Sequence, residues 1–510
     1  MPGDPTSPYR HWGAVEKGVS PSQDLWAAPP PPPAEPPVPA WHGEGGRHLA
    51  SVSRLPLDPE PPERSTLQVQ TDWALVLELQ GQVAQSLTEQ LSLAARTGQP
   101  LDRDSERQLG RALIRAAVGA LIDRQSQSGD QVLSAEEEEH LVAAIYNAQF
   151  GLGRLQPLMD LTDVENIEIT GTGPVRLEFA DGRYEWAAPV ADTDDELIRM
   201  VRSFAAYLGQ TARDFSTAHP QLRLSLPDMS RLSAVMETTP HPHVSIRRHR
   251  LVDVDLQTME RAGSVDHVLA EFLRAAVRAR KNIVLAGDFG SGKTTMLRAL
   301  ANEIHPDEKV ITIEQEYELG LHLLPQRHHL VVPMEAREGN AEGGAGAVTL
   351  TDLVLHSMGL NARRICVGEV RGAEFVAMIT AMTAGDAGSL CTIHAEDAHR
   401  VFTRFEFCGQ LASPPMSKEA VNLAVGDAVH FIVHLKLTRD ATGRRVRYVR
   451  QVLEVTGHGE NGRPAVNEVF VPGPDGRAVV GTPVACLADL VAAGLDPTLL
   501  DRASGWDAAQ

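Results

Sequence analysis

Apolar and polar positions along the chain change period several times, and each change marks an element. Asn282-Ile283-Val284-Leu285-Ala286 is a short apolar run that predicts a buried strand, and Thr295 to Ile304 has helical spacing. Upstream, Leu109, Leu113, Ala116 and Ala120 recur as on a helix face, and Glu136 to Glu139 open a further helix, so residues 66–150 read as about three packed helices. Residues 151–260 alternate instead. Val164 to Ile169, Val175 to Phe179 and Tyr184 to Trp186 predict a meander, Asp194 to Leu208 a helix, and Leu222 to Leu226, Ser230 to Met236 and Val244 to Arg248 short strands, together a small α+β domain.

From 261 to 472 apolar strands and helical stretches take turns, as in an open α/β sheet. Val310 to Ile313, Arg364 to Glu369 and Leu390 to Ile393 predict strands, Ala373 to Thr383 a helix, and Ala428 to Leu435 with Arg445 to Val455 a hairpin extending the sheet. Residues 473–510 read as a tail with a short helical pattern from Val484 to Ala493, and the glycine-rich Glu338 to Gly346 as a mobile loop. Residues 1–65 carry Pro29 to Pro33 and seven further prolines from Pro36 to Pro62 with little periodic apolar content, which predicts a disordered, partly polyproline arm.

Composition narrows the partners. Sixty-seven acidic residues against 47 basic ones give a net charge of -20, so nucleic acid is not the expected partner. The four cysteines show no CxxC spacing and sit mostly in apolar surroundings, the pattern of core thiols in a reducing cytoplasm. No run approaches the roughly 20 apolar residues needed to span a bilayer, so membrane contact is expected only through partners.

The chemistry starts at Gly287-Asp288-Phe289-Gly290-Ser291-Gly292-Lys293-Thr294, which fits GxxxxGK[ST] in the required order of strand, loop, helix. Glycines let the backbone fold so that its N–H groups face a phosphate, and the helix N-terminus adds its dipole. Lys293 reaches the β- and γ-phosphates in this pattern and the Thr294 hydroxyl holds Mg²⁺. Glu314, Glu369 and His394 each close an apolar strand, where ligands gather in doubly wound sheets; a solvated acidic turn and a structural histidine are the plain alternatives. Arg231 and Arg247 sit on strands just before this domain, placed for a bound phosphate or a neighbouring subunit, with solvated strand-edge arginines the plain alternative.

The series GDFGSGKTT, ITIEQEYEL, RRICVGEVRGAE and AGDAGSLCTIHAEDA resembles the Walker A, Asp box, Walker B and His box of the secretion ATPases of type II secretion, type IV secretion, type IV pili and archaeal flagella, with the Tad/Flp pilus branch the nearest likeness. The resemblance covers roughly residues 150–456, including Asp214-Phe215 to Arg231. It implies a RecA-like P-loop motor domain behind the small α+β domain, ATP and Mg²⁺ as ligands, and a homo-hexamer at the inner face of the membrane, working on a polytopic platform protein. Gly287, Gly290, Ser291, Gly292, Lys293, Thr294 and Thr295 would then bind nucleotide, and Thr294, Glu314 and Glu369 metal. Glu314, Glu318, Glu369 and His394 would be catalytic, with Arg231, Arg247 and Arg371 steadying phosphates or linking subunits. Gln315, Asp386 and Met229 depart from the usual pattern, and Gln315 implies slow hydrolysis. A type IV secretion or conjugation ATPase and a nucleotide-gated scaffold are the alternatives. The expected hinge is the linker Glu260 to Asp266.

Overall fold

The computed structural model describes residues 71–98, 101–129, 131–208, 215–226, 228–248, 253–337, 346–383, 388–501 and 506. The proline-rich arm, Asp214, Asp386 and almost all of the 338–346 loop lie outside the described residues. The three expected helices are α1 (Trp73–Arg96), α2 (Arg103–Ser128) and α3 (Ala135–Phe150). Each starts on a side-chain cap: Asp72, Asp102 and Ser134 accept backbone N–H groups, and Ser134 with Glu137 forms a capping box. The buried stripe of α2 differs from the predicted one. Ile114 and Val118, with more apolar area than Ala116 and Ala120, are buried while those alanines face solvent, and Gly110 is buried because the Phe150 ring of α3 lies where its Cβ would be.

After the short α4 (Gln156–Met159) comes the small domain. Its strands are β1 (Val164–Thr170), β2 (Val175–Phe179), β3 (Tyr184–Ala187), β4 (Gln221–Ser225), β5 (Arg231–Val235) and β6 (His243–Arg247), with α5 (Asp194–Leu208) between β3 and β4. They form one antiparallel sheet in the order β3-β2-β1-β6-β5-β4. Its alternating apolar positions, with Leu197, Val201 and Phe204 of α5, make a separate core.

The second unit of secondary structure is larger. It comprises α6 (Leu256–Arg261), α7 (His267–Arg278), β7 (Ile283–Gly287), α8 (Lys293–Ala301), β8 (Val310–Glu314), β9 (Val331–Glu335), α9 (Leu350–Met358) and β10 (Arg364–Val370). It continues through α10 (Glu374–Thr383), β11 (Leu390–His394), α11 (Arg400–Gln410), α12 (Lys418–Ala428), β12 (Phe431–Arg439), β13 (Arg445–His458), β14 (Pro464–Pro472), β15 (Ala478–Val480) and α13 (Leu487–Ala492). The sheet order is β15-β14-β13-β12-β7-β11-β10-β8-β9, parallel from β12 to β9 and antiparallel beyond β12. Two apolar layers cover the faces of this sheet. One is built from α6, α7, α8 and α13, the other from α10, α11 and α12, which is why β7 is buried along its whole length.

Two boundaries differ from expectation. Val254, Leu256, Met259 and Val265 pack into the larger core, and the Ser264 carbonyl accepts the N–H of Val449, so Glu260 to Asp266 is built into this domain and is no interdomain linker. The segment after 473 is also no tail. β15 joins the sheet, and Leu490, Leu495 and Leu499 are buried in the core because the short helical pattern has an apolar face to cover.

Candidate nucleotide site

Sheet register brings the site together. β7 lies between β11 and β12, so Gly287 is opposite both His394 and Leu435 at the strand ends. The loop that leaves β7 is tight. A Cβ on Gly287 (φ 152°) would stand 2.5 Å from the Leu435 carbonyl oxygen and 2.6 Å from Ser291 Oγ, and Gly292 (φ 92°) caps α8 in the left-handed region. Ser291, fully buried, donates its hydroxyl to the Asp288 carbonyl at 2.8 Å, while Thr294 and Thr295 occupy the first turn of α8.

Lys293 folds back over this loop. Its Nζ donates to the carbonyls of Gly287 and Asp288, both at 2.9 Å, and lies 3.2 Å from Nδ1 of His394. The other ring nitrogen, Nε2, lies 3.1 Å from Glu369, whose second oxygen accepts a 2.6 Å bond from Arg371. Lys293, His394, Glu369 and Arg371 thus form one continuous polar chain across β7, β11 and β10. Burial opposes ionisation of Glu369, yet the hydrogen bonds from His394 and Arg371 and their charges prevail and bring its carboxyl down to about 2. Burial pushes the Lys293 ammonium down to about 8; Glu369 opposes that shift and the nearby Arg247 adds to it. Phe289 stacks on the His394 ring with centroids 4.2 Å apart.

A second cluster surrounds the end of β8. Glu314 is almost fully buried, and its Oε2 accepts the N–H groups of Glu318 at 2.9 Å and Leu319 at 2.8 Å. Burial raises its carboxyl to about 7, against the pull of those two bonds. Glu314, expected among the metal ligands, here shapes the loop after β8 by accepting two of its backbone N–H groups. Gly368 lets that loop sit close, since a Cβ there would be 3.1 Å from Glu314 Cγ. From the small domain Arg231 reaches over, pairing with Glu318 at 3.0 Å and Glu316 at 3.4 Å and donating to the Glu316 carbonyl at 2.9 Å. Arg247 lies beside Arg231 in register but makes no hydrogen bond or ion pair among the described residues.

The loop fits a polyphosphate: glycine at 287 and 292 lets the backbone turn tightly against β12 and α8, Lys293 is at hand, and α8 points its N-terminus there. The Thr294 hydroxyl, in the first turn of α8, and Glu369, near the end of β10, are the groups that would hold a Mg²⁺ ion. Among the described residues no three His, Cys, Asp or Glu side chains form a metal cage.

Several residues of this region had no forecast. Arg298 of α8 is buried and donates to the carbonyls of Leu319, at 3.1 Å, and Glu318. One charged residue within the apolar stretch Met296 to Ala301 was the available signal. Lys436 of β12 reaches Asp288 at 3.2 Å, and Arg447 of β13 donates to the Gly290 carbonyl at 2.7 Å. Their places depend on strand register, for which the local sequence holds no signal.

Residues 219–489, more than half of the chain, match the type II/IV secretion system protein family. A putative conjugal transfer protein of Mycobacterium tuberculosis is 30% identical over 303 residues, covering 58% of this chain and 82% of the relative. The type IV secretion system protein VirB11 of Brucella suis is 29% identical over 343 residues, covering 61% of this chain and 92% of that protein. Among solved structures, the Legionella pneumophila ATPase DotB aligns over 59% of this chain and 79% of its own, at 19% identity and a TM-score of 0.43.

Proposed function

Because the chain belongs to the type II/IV secretion system protein family and is an ATP hydrolase of that family, we propose that it is a ring-forming motor that drives assembly of a Tad/Flp-type pilus or secretion through a membrane platform. The observation that carries this reading is the chain from Lys293 through His394 to Glu369 beside a phosphate loop. Lys293, once released from the Gly287 and Asp288 carbonyls, neutralises the terminal phosphates. Glu369, fixed in its ionised form, orients the attacking water, and His394 stands between them to report the terminal phosphate. A Mg²⁺ ion held by Thr294 and Glu369 would add charge neutralisation at the phosphate oxygens. Glu314 and Arg298 hold the loop after β8 rigid, so that Glu316 and Glu318 present a fixed docking site for Arg231.

Arg231, through Glu316 and Glu318, lets the small domain answer to the nucleotide, Arg247 lies beside it in register, and Arg371, half exposed on Glu369, would link the site to a neighbouring subunit. In this reading six copies form a ring in the cytoplasm at the inner face of the membrane, and successive domain closures push on a polytopic platform protein. The relatives' names favour a second setting, a type IV secretion or conjugal transfer machine, with the same site and the same ring. Mass measurement of the full chain by light scattering, with Mg²⁺ and a non-hydrolysable ATP analogue, tests the assembly. Six times the monomer mass is expected; a monomer at saturating nucleotide contradicts the ring. Complementation of strains lacking either the pilus ATPase or the conjugation ATPase separates the two settings.

A further inference from the structure

The β12–β13 hairpin touches both the phosphate loop and the small domain. At its base Leu435 and Leu437 border Gly287 and Gly290, and Lys436 pairs with Asp288. Towards its tip the Arg445 N–H donates to the Asp181 carbonyl at 3.1 Å, and the Arg445 guanidinium pairs with Glu178 and lies 3.7 Å from Glu165. Arg447 joins the two ends. Its Nε donates to the Gly290 carbonyl at 2.7 Å, and its Nη2 bonds Glu165, on β1 of the small domain, at 3.1 Å.

A guanidinium is planar, so its two donors keep a fixed mutual geometry, and a shift of one acceptor is passed to the other. The loop has reason to shift. Lys293 now occupies the Gly287 and Asp288 carbonyls and must leave them to reach a phosphate, which changes the loop beside Gly290. The inner half of the hairpin is held in the sheet, Phe431 to Leu435 along β7 and Val452 to His458 along β14, and the outer half that carries Arg445 and Arg447 is held by the ladder that pairs Leu435 to Arg439 with Val449 to Arg445.

We propose that Arg447 is a positioning residue that couples the phosphate loop to the small domain, with the β12–β13 hairpin as a rigid strut and Glu165 as the receiving group. The proposal rests on the reading of Gly287 to Thr294 as a nucleotide site. It adds a second route of communication, separate from the Arg231 contact with Glu316 and Glu318.

The test uses the full chain carrying fluorophores at Tyr184→Cys and Leu355→Cys, two exposed positions on β3 and α9. Cys366, Cys391 and Cys408 are buried, and burial beside Glu454 pushes the Cys486 thiol up to about 12, so the new thiols label first. The label separation and the affinity for Mg²⁺ with a non-hydrolysable ATP analogue are measured for the unmodified background, Glu165→Gln, Arg447→Gln, Arg447→Lys and the double glutamine variant. The expected result is a nucleotide-induced change in separation in the background that is lost in all four variants, the double being no worse than either single, while each still binds the analogue. Lysine keeps the charge but cannot serve Gly290 and Glu165 together. A purely static clamp lowers the melting temperature equally with and without nucleotide and leaves the induced change intact; that outcome overturns the proposal. Should Arg447→Gln fail to fold, Glu165→Gln alone decides. Failure of the unmodified chain to bind the analogue overturns the nucleotide reading as well, and it shows in the control arm.

Discussion

Nε2 of His394 lies 3.1 Å from Oε1 of Glu369, and this contact ties the strand that ends beside the phosphate loop to the strand that carries the acidic residue. With Arg371 on its other oxygen, Glu369 has its carboxylate fixed in both charge and direction. A carboxylate at about 2 is a poor proton acceptor near neutrality, so in the proposed mechanism Glu369 aligns water and metal. Glu369→Gln should therefore lower kcat by about 10²-fold or more while changing nucleotide Kd by less than about threefold. Steady-state phosphate release and equilibrium binding on the same preparation check the split.

In its proposed role Lys293 makes nucleotide affinity pH-dependent. Its ammonium titrates near 8 in the nucleotide-free chain, below the usual lysine range, because burial disfavours the charge. A polyphosphate holds the charged form, so below pH 8 affinity is flat. Above it, binding must take up a proton, and Kd should rise by about tenfold per pH unit. Calorimetric titration from pH 7 to pH 9.5 in buffers of different ionisation enthalpy reads both the slope and the proton uptake.

At Glu314 the pKa is shifted the other way, yet stability, like that affinity, falls as pH rises. Its folded carboxyl is raised to about 7 from 4.5, so the folded state favours the proton. Stability from this group is fully present below pH 4.5 and is lost as pH rises through 7, by on the order of 3 kcal/mol. Glu314→Gln removes that slope; Glu314→Ala leaves the Glu318 and Leu319 amides without an acceptor and costs about 2–5 kcal/mol. Urea unfolding at pH 5 and pH 8 compares all three chains.

At the start of β10, Arg364 is buried and forms a two-pronged bond with Glu308, at 2.9 and 3.0 Å, while donating to the Val277 carbonyl at 3.0 Å. Arg364→Ala leaves Glu308 with only Arg280 and should destabilise the domain by about 3–5 kcal/mol. Chemical denaturation measures it.

Much of this molecule was legible locally. Asn282 to Ala286, the glycines after it and Lys293 are neighbours in sequence, so strand, loop and helix follow from pattern alone. Glu369 and His394 were found because each ends an apolar run. Glu314 shows where this method stops: its strand was read correctly, but which way its carboxylate turns depends on Gly368, Leu319 and Arg298, brought in by tertiary packing. Glu165 and Arg447 are 282 residues apart and meet only through the register of two sheets. The tail expected after 473 failed for a related reason, since β15 has three residues and gains its place from β14.

Whether ATP turnover depends on Lys293 is decided by phosphate release from the purified full chain with Mg²⁺ and ATP, measured beside Lys293→Ala under the same conditions. Measurable release by the unmodified chain and a loss of about 10²-fold or more in the variant are expected. A Lys293→Ala chain that folds and releases phosphate at the unmodified rate would contradict that dependence.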